Sequence, residues 1–420
     1  MAGSALGGGD ATIEDGIGKK KEQDQKQNHK VLIGGGQTGT VTVAEFDGTA
    51  FEIVAQHVIA GSAPNWMVAK ASGRALLFVN DENGDAVRVF CFDAETNELQ
   101  LIETAKGSSG VVHLGFNKDQ SVMVGAAFGE GTIDVWDLQE EKHDNNNNNN
   151  NNSINTILHL RKKIPVGGVP GPVAGRQDSP HPHQALLDPT GAFFVVADLA
   201  TDSLLVVDAE EYTIRNRVEV VPSGAGPRHG AFLTLGGKTV TTTTTTTTKA
   251  THFAVVCEIS NVIKVYKLDY DHDRGIGFDE VQAISTFGQD SPPSNPGTAA
   301  AGELIVDARN ENLYVSNRLT GDGTDNIAHF CINHHNDNDN SAKPVLTFVD
   351  QVSSGGLLPR MFSLSKEDNV LFSTNQDGEC GMVAFGKDGK TGRLTRQPLA
   401  SVSREVFGGP NLGPQFVMQI

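Results

Sequence analysis

Two short patterns recur along the 420 residues of this chain, and their spacing confines it to a repeat architecture. The first opens a unit with proline and then a polar residue: Ala63-Pro64-Asn65-Trp66, His181-Pro182-His183-Gln184, Gly226-Pro227-Arg228-His229 and Leu358-Pro359-Arg360-Met361. The second closes an apolar run about 15 to 30 residues later. Its instances are Phe78-Val79-Asn80-Asp81, Val196-Ala197-Asp198, Val256-Cys257-Glu258, Val315-Ser316-Asn317-Arg318 and Ser373-Thr374-Asn375-Gln376. A repeated unit of this size cannot bury its own apolar face, so neighbouring copies must stack to make a core.

One unit shows what is repeated. His183-Gln184-Ala185-Leu186-Leu187 reads as a strand, and Asp188-Pro189-Thr190-Gly191 as a turn with proline and glycine where turn chemistry wants them. Residues 192–197, 203–207 and 212–220 read as three more strands. Four antiparallel strands per repeat describe a propeller blade. Openings near Pro64, Val112, Pro182, Pro227, Ala300 and Pro359 mark six blades, and residues 31–34 and 41–46 with 415–418 supply another, closed by both chain ends. The expectation is an all-β, seven-bladed β-propeller occupying residues 30–420 as a single domain.

Residues 1–29 are Gly-rich and then charged, and read as a disordered tail. Two homopolymers, asparagine at 145–152 and threonine at 241–248, read as inserts. The first falls between the third and fourth strands of its blade, the second between a first and a second strand. With strands alternating in direction, both connections lie on one face of the disc. Loop insertions are cheap where nothing functional happens, so function is expected on the opposite face.

Composition removes several classes. A formal net charge of −18 repels nucleic acid and anionic membranes, and an anionic substrate would need local arginines. Cys91, Cys257, Cys331 and Cys380 are too scattered for a disulfide scaffold and read as reduced thiols. No stretch approaches the ~20 apolar residues of a membrane span, and the start of the chain lacks the apolar segment of a secretion signal. A cytoplasmic location is expected. Gly34-Gly35-Gly36-Gln37-Thr38-Gly39 is flanked by β runs on both sides, so it reads as a hairpin and not a phosphate-binding loop. No nucleophile elbow or HExxH motif is present, and nothing in the motifs calls for a metal or cofactor. Oligomeric state is open.

In a blade, the residue after the opening proline and the residue closing the second strand meet on the insert-free face. Innermost strands line the central channel, so these positions should converge at its mouth. The charged or ionisable members are His183, Arg228, His229, Glu258, Arg318 and Arg360. Asn65, Asn80, Asn317, Asn375 and Gln376 are expected as polar lining, and Asp81 and Asp198 as further acids or plain turn acceptors. A histidine near a carboxylate supplies acid–base catalysis near neutrality. Guanidinium groups can fork onto a carboxylate or phosphate and stabilise an oxyanion. Glu258 is expected either to manage protons or to orient the histidine.

From residue 31 onward the chain resembles the lactonase family of seven-bladed β-propellers, which includes cytosolic 6-phosphogluconolactonases and fungal carboxy-cis,cis-muconate cyclases. The resemblance rests on Pro180-His181-Pro182-His183-Gln184, Gly226-Pro227-Arg228-His229, Glu258 before Val262-Ile263-Lys264-Val265-Tyr266, and Tyr314-Val315-Ser316-Asn317-Arg318. It implies that His183, Arg228, Glu258 and Arg318 form the catalytic and carboxylate-binding set, with His229, Arg360, Asn80, Asn317, Asn375 and Gln376 around the substrate. The activity implied is hydrolysis of an anionic sugar lactone, 6-phosphogluconolactone to 6-phosphogluconate. One departure stands out: Ala127-Phe128 occupy positions where the family pattern expects Asn-Tyr.

Three other readings compete. One is a muconate-type lactonising cyclase. Another is a non-catalytic scaffold, suggested by Trp136-Asp137, which mimics the dipeptide of scaffold propellers but occurs once. The third is a metal-dependent lactonase using the oxygens of Glu258, Asn80, Asp198, Asn317 and Asn375, against which the intervening arginines argue.

Overall fold

The computed structural model describes residues 28–72, 74–142, 154–236, 249–271, 275–334 and 344–420. Its strands form seven four-stranded antiparallel sheets. Six are built from consecutive strands. The seventh pairs Phe416–Gln419 with His29–Gly34, followed by Thr40–Phe46 and Phe51–Val58, so two distant parts of the chain close one blade. The chain is a seven-bladed β-propeller, as the repeat count requires.

Numbering the closing sheet as blade 1, the innermost strands of blades 3 to 6 are Val111–Phe116, Pro182–Leu187, Pro227–Leu233 and Ala300–Val306. In blades 2 and 7 the first strand starts at Met67 and Phe362, a few residues after the opening prolines Pro64 and Pro359. The expected tail ends earlier than residue 29, since His29 already pairs with Phe46. Residues 1–27 and both homopolymer tracts lie outside the described residues. The strands flanking the tracts do occupy the expected places. Thr132–Lys142 and Ile154–Pro165 are third and fourth in blade 3, and Pro227–Leu233 and His252–Cys257 are first and second in blade 5.

Burial falls from the channel outward, and this gradient is what the sequence pattern encodes. Second and third strands are covered on both faces by neighbouring blades, so Phe193–Asp198 and Ser203–Asp208 are apolar runs buried almost throughout. Fourth strands face solvent on one side, and Glu98–Lys106 is largely polar and exposed. The cores lie between blades. One apolar cluster joins Val196 and Leu205 of blade 4 to Val124 and Val135 of blade 3, and another joins Val255 and Tyr266 of blade 5 to Val195 and Leu204 of blade 4. Trp136, the scaffold-like residue of the sequence, is fully buried in such an interface. It is therefore not displayed to partners.

Two local features match the chemistry of their residues. Asp188 accepts from the backbone N–H groups of Thr190, Ala192 and Phe193 at 2.8 to 2.9 Å, fixing the turn that Gly191 completes at φ +80°. The glycine stretch at 34–39 is a hairpin, with Gly35 N–H donating to the Thr40 carbonyl at 2.8 Å.

Ring closure rests on few residues. Phe416 is buried at the head of the closing strand, 5.3 Å from Trp66 edge to face. Phe416→Ala is expected to cost about 3–5 kcal/mol, the range for a buried aromatic removed from a packed core. Denaturant unfolding would show it as a lower midpoint at unchanged slope.

Candidate active site

A β-bulge inserts an unpaired residue, bends its strand and re-aims a side chain. The innermost strands of blades 3 to 6 each carry one at their opening, between Val111 and His113, Pro182 and Gln184, Pro227 and His229, and Ala301 and Leu304. The residues so displaced are Val112, His183, Arg228 and the pair Gly302–Glu303. Val112, His183, Arg228 and Glu303 line one narrow cavity in the middle of the ring, with Asn65, Trp66, His229, Arg360 and Gln415. Pro182-His183 and Pro227-Arg228 are thus the sequence trace of a bulge that turns a polar side chain into the channel.

Above this cavity lies a mouth of about 300 Å³, the scale of a small-molecule site. Glu258 sits in its wall because its N–H donates to the Gly226 carbonyl at 2.7 Å, tying the end of the second strand to the opening of the first. Its Oε2 lies 2.8 Å from Arg228 Nε and 3.0 Å from Arg318 Nη2, while Oε1 pairs with Arg176. Arg228 Nη1 donates to the Gly302 carbonyl at 2.8 Å, and Arg318 Nη2 to the Ala301 carbonyl at 3.0 Å. Across the mouth, Arg360 donates to Glu82 at 2.7 Å and to Gln415 at 3.2 Å.

These pairs settle who is charged. Burial works to raise the Glu258 carboxyl, but Arg318, Arg228 and Arg176 outweigh it and hold the group at about 2. Burial, reinforced by Arg318 and opposed by Glu258, brings the Arg228 guanidinium down to about 9. Both stay ionised at neutral pH. Glu258 therefore clamps guanidiniums and is no proton carrier near neutrality, and the histidine it was expected to serve finds another carboxylate.

That carboxylate is Glu303. His183 Nδ1 lies 3.0 Å from His229 Nε2, and His229 Nδ1 lies 2.8 Å from Glu303 Oε1, with all three side chains buried. Burial first, then the Arg228 guanidinium, keep both imidazoles well below their ordinary 6.5. Burial pushes Glu303 up to about 7, against the pull of Arg228. His113 packs beside this row, 4.3 Å from the Trp66 ring and 5.9 Å from His229.

The remaining expected residues divide. Asn80, Asn317, Asn375 and Gln376 line neither the mouth nor the channel cavity. Asn80 donates to the Val111 carbonyl and accepts from the N–H groups of Asn65 and Trp66. Asn317 donates to the Thr286 carbonyl, and Asn375 to those of Ser354 and Cys380. These amides staple strand ends to the connections between blades, which is why asparagine recurs there. Asp81 and Asp198 accept from Ala63 and His181 N–H and are turn acceptors. Both Glu258 oxygens lie on guanidiniums, and the Asn80 and Asp198 oxygens accept from backbone N–H groups, so these of the oxygens considered for a hard cation are already in use.

Sequence reading missed Glu303, Arg176 and Glu82. Glu303 had a signal: it stands in the bulge of blade 6 as Arg228 stands in that of blade 5, but no proline marks its opening. Arg176 and Glu82 lie in connections outside any strand register. At the departure from the family pattern, Phe128 stacks on His181 at 4.1 Å and meets His183 edge to face at 5.7 Å, so it places a bare ring where a hydroxyl was expected.

The family model of lactonases with a seven-bladed β-propeller matches residues 30–406. The chain belongs to the seven-bladed lactonase family. Among its relatives in that family, a protein of Arthroderma benhamiae named "Probable 6-phosphogluconolactonase" is 26% identical over 349 residues, covering 82% of this chain and 78% of its own. The 6-phosphogluconolactonase of Bacillus subtilis is 25% identical, covering 80% and 83%. In fold the chain is similar to the periplasmic gluconolactonase of Pseudomonas aeruginosa (TM-score 0.70, 20% identity, 94% and 99% covered). A Lactobacillus plantarum protein shares the same fold (TM-score 0.69, 19% identity, 94% and 100% covered). Among the described residues no helix is long and apolar enough to cross a membrane.

Proposed function

We propose that this protein hydrolyses the lactone of an anionic sugar acid, opening 6-phosphogluconolactone to 6-phosphogluconate in the cytoplasm, at the mouth formed by His183, Arg228, Glu258 and Arg318. The observation that carries this is the local reversal of charge. Arg176, Arg228, Arg318 and Arg360 gather beside two carboxylates, Glu82 and Glu258, on a chain of net charge −18. Such a basic funnel draws an anion out of a repulsive field. The names of the relatives support the substrate, and the four unpaired thiols support the compartment.

Each residue then has a task. With Nδ1 hydrogen-bonded to His229, His183 keeps Nε2 for the substrate side, and its depressed basicity leaves it neutral and able to accept a proton. A water molecule gives up a proton to Nε2 as its oxygen bonds to the lactone carbonyl carbon. The carbonyl electrons move onto oxygen, where Arg228 and Arg318, fixed by Glu258, stabilise them. As the carbonyl re-forms, the ring C–O bond breaks and the leaving alkoxide takes the proton back from Nε2. Arg360, which lines both the channel cavity and the mouth, and Arg176, at the more exposed side of the mouth, take the remote anionic group.

A pH-stat assay on 6-phosphogluconolactone, unphosphorylated gluconolactone and a muconolactone tests the reading. Fastest turnover of the phosphorylated lactone is expected; preference for the muconolactone would select the cyclase chemistry, and no turnover above background would remove the enzymatic reading. Arg360→Ala should raise KM for the phosphorylated lactone about tenfold with kcat little changed, the value of one charge-assisted hydrogen bond. Steady-state kinetics would show it, with a smaller effect on the uncharged lactone.

A further inference from the structure

Building on that hydrolytic reading, we propose that the proton taken by His183 does not stay on its imidazole but passes through His229 to Glu303, which stores it until the leaving group needs it. The row has the geometry for this. His183 Nδ1, His229 Nε2, His229 Nδ1 and Glu303 Oε1 are joined by contacts of 3.0 and 2.8 Å, and all three residues line the channel cavity beneath the mouth. One pattern of tautomers fills it at rest: His229 Nδ1–H donates to the Glu303 carboxylate, and His183 Nδ1–H donates to His229 Nε2. When water protonates His183 Nε2, the Nδ1 proton of His183 moves to His229 Nε2 and the Nδ1 proton of His229 moves to Glu303 Oε1. Three protons shift by one place, both imidazoles remain neutral, and Glu303 becomes the neutral acid. The reverse shift returns a proton from His183 Nε2 to the alkoxide, so nothing is gained or lost.

The surroundings favour the proton at that far end. An imidazolium at His183 or His229 would be buried and would face Arg228, Arg318 and Arg360. Glu303 faces His229, Arg228, His113 and Arg318, and Leu304 N–H donates to its Oε1 at 3.0 Å. No donor reaches its buried Oε2 among the described residues, so this carboxylate is poorly solvated when ionised and suited to carrying a proton. Glu303 never touches substrate in this scheme and is a positioning residue that works through His229.

The test compares wild type, Glu303→Gln and Glu303→Asp. The relay accepts protons only while Glu303 is ionised, so wild-type kcat/KM should fall as pH drops through about 7. Glutamine preserves a hydrogen bond to His229 but cannot be protonated. Glu303→Gln should lower kcat about 10- to 100-fold with KM little changed. Its acid limb should move down by about one unit or more, toward the value of His183 alone. Glu303→Asp should restore a limb near that of wild type. A limb unmoved in Glu303→Gln would overturn the relay, even if activity falls. Infrared difference spectra of wild type minus Glu303→Gln between about pH 5 and about pH 8 read the carboxyl directly and need no turnover. A protonation band that disappears across that range supports the store, and its absence refutes it. A protein inactive on every lactone but showing that band would defeat the hydrolytic reading while leaving the stored proton standing.

Discussion

Glu258→Gln is expected to abolish most of the activity and to destabilise the fold together, because one carboxylate holds three guanidiniums. Its oxygens contact Arg228 Nε, Arg318 Nη2 and Arg176, and Arg228 is 2% exposed. Neutralising the carboxylate leaves those cations facing one another without a counter-charge. Removing one partner of a buried pair costs about 3–5 kcal/mol, and glutamine, similar in shape, adds no cavity to that figure. kcat/KM should fall by about 10²- to 10³-fold, the scale for losing a preorganised oxyanion donor. The stability difference also has a direction in pH. The folded-state value of Glu258 is depressed to about 2 from an ordinary 4.5, so its contribution is present above the ordinary value and is lost as pH falls through about 2. Wild type and variant should therefore differ most at neutral pH and converge in acid, which thermal melts at several pH values would register. Equal melting temperatures at neutral pH would show that the arginines do not depend on Glu258.

His183→Gln should have a comparable effect on rate and little on stability. Glutamine can still reach His229 with its amide, but it has no basic nitrogen for the water. A loss of about 10²- to 10⁴-fold in kcat at nearly constant KM follows from removing a general base. The surviving rate should lose the limb that His183 and its row impose. The contrast with Arg360→Ala, which acts on KM, separates the residue that moves protons from one that holds charge. Single-turnover kinetics on both variants would expose that split.

The ring was legible in the chain because inner strands buried on both faces must be apolar and turns must carry glycine, proline or aspartate. Units such as 182–219 are therefore written out almost strand by strand. The mouth was legible to the extent that topology decides which strand ends meet: His183, Arg228, Glu258 and Arg318 come together because Pro182 pairs with Asp198, Pro227 with Cys257 and Ala300 with Arg318. Three things were hidden. A strand end carries both substrate-facing and structural side chains, and the sequence does not separate the Arg318 kind from the Asn317 kind, since adjacent residues on a strand point to opposite sides. Glu303 was hidden because its blade opens with Ala300-Ala301-Gly302 and lacks proline, so the bulge that aims it left no familiar mark. Arg176 arrives from a long connection, where no register reports position.

The most direct measurement is a crystal structure of the protein soaked with the product, 6-phosphogluconate. The account predicts density in the mouth, with the product's carboxylate within hydrogen-bonding distance of Arg228 and Arg318, its carboxyl carbon next to His183, and its phosphate toward Arg360 or Arg176. Product bound on the opposite face of the disc or at the outer rim, with the mouth empty, would contradict it.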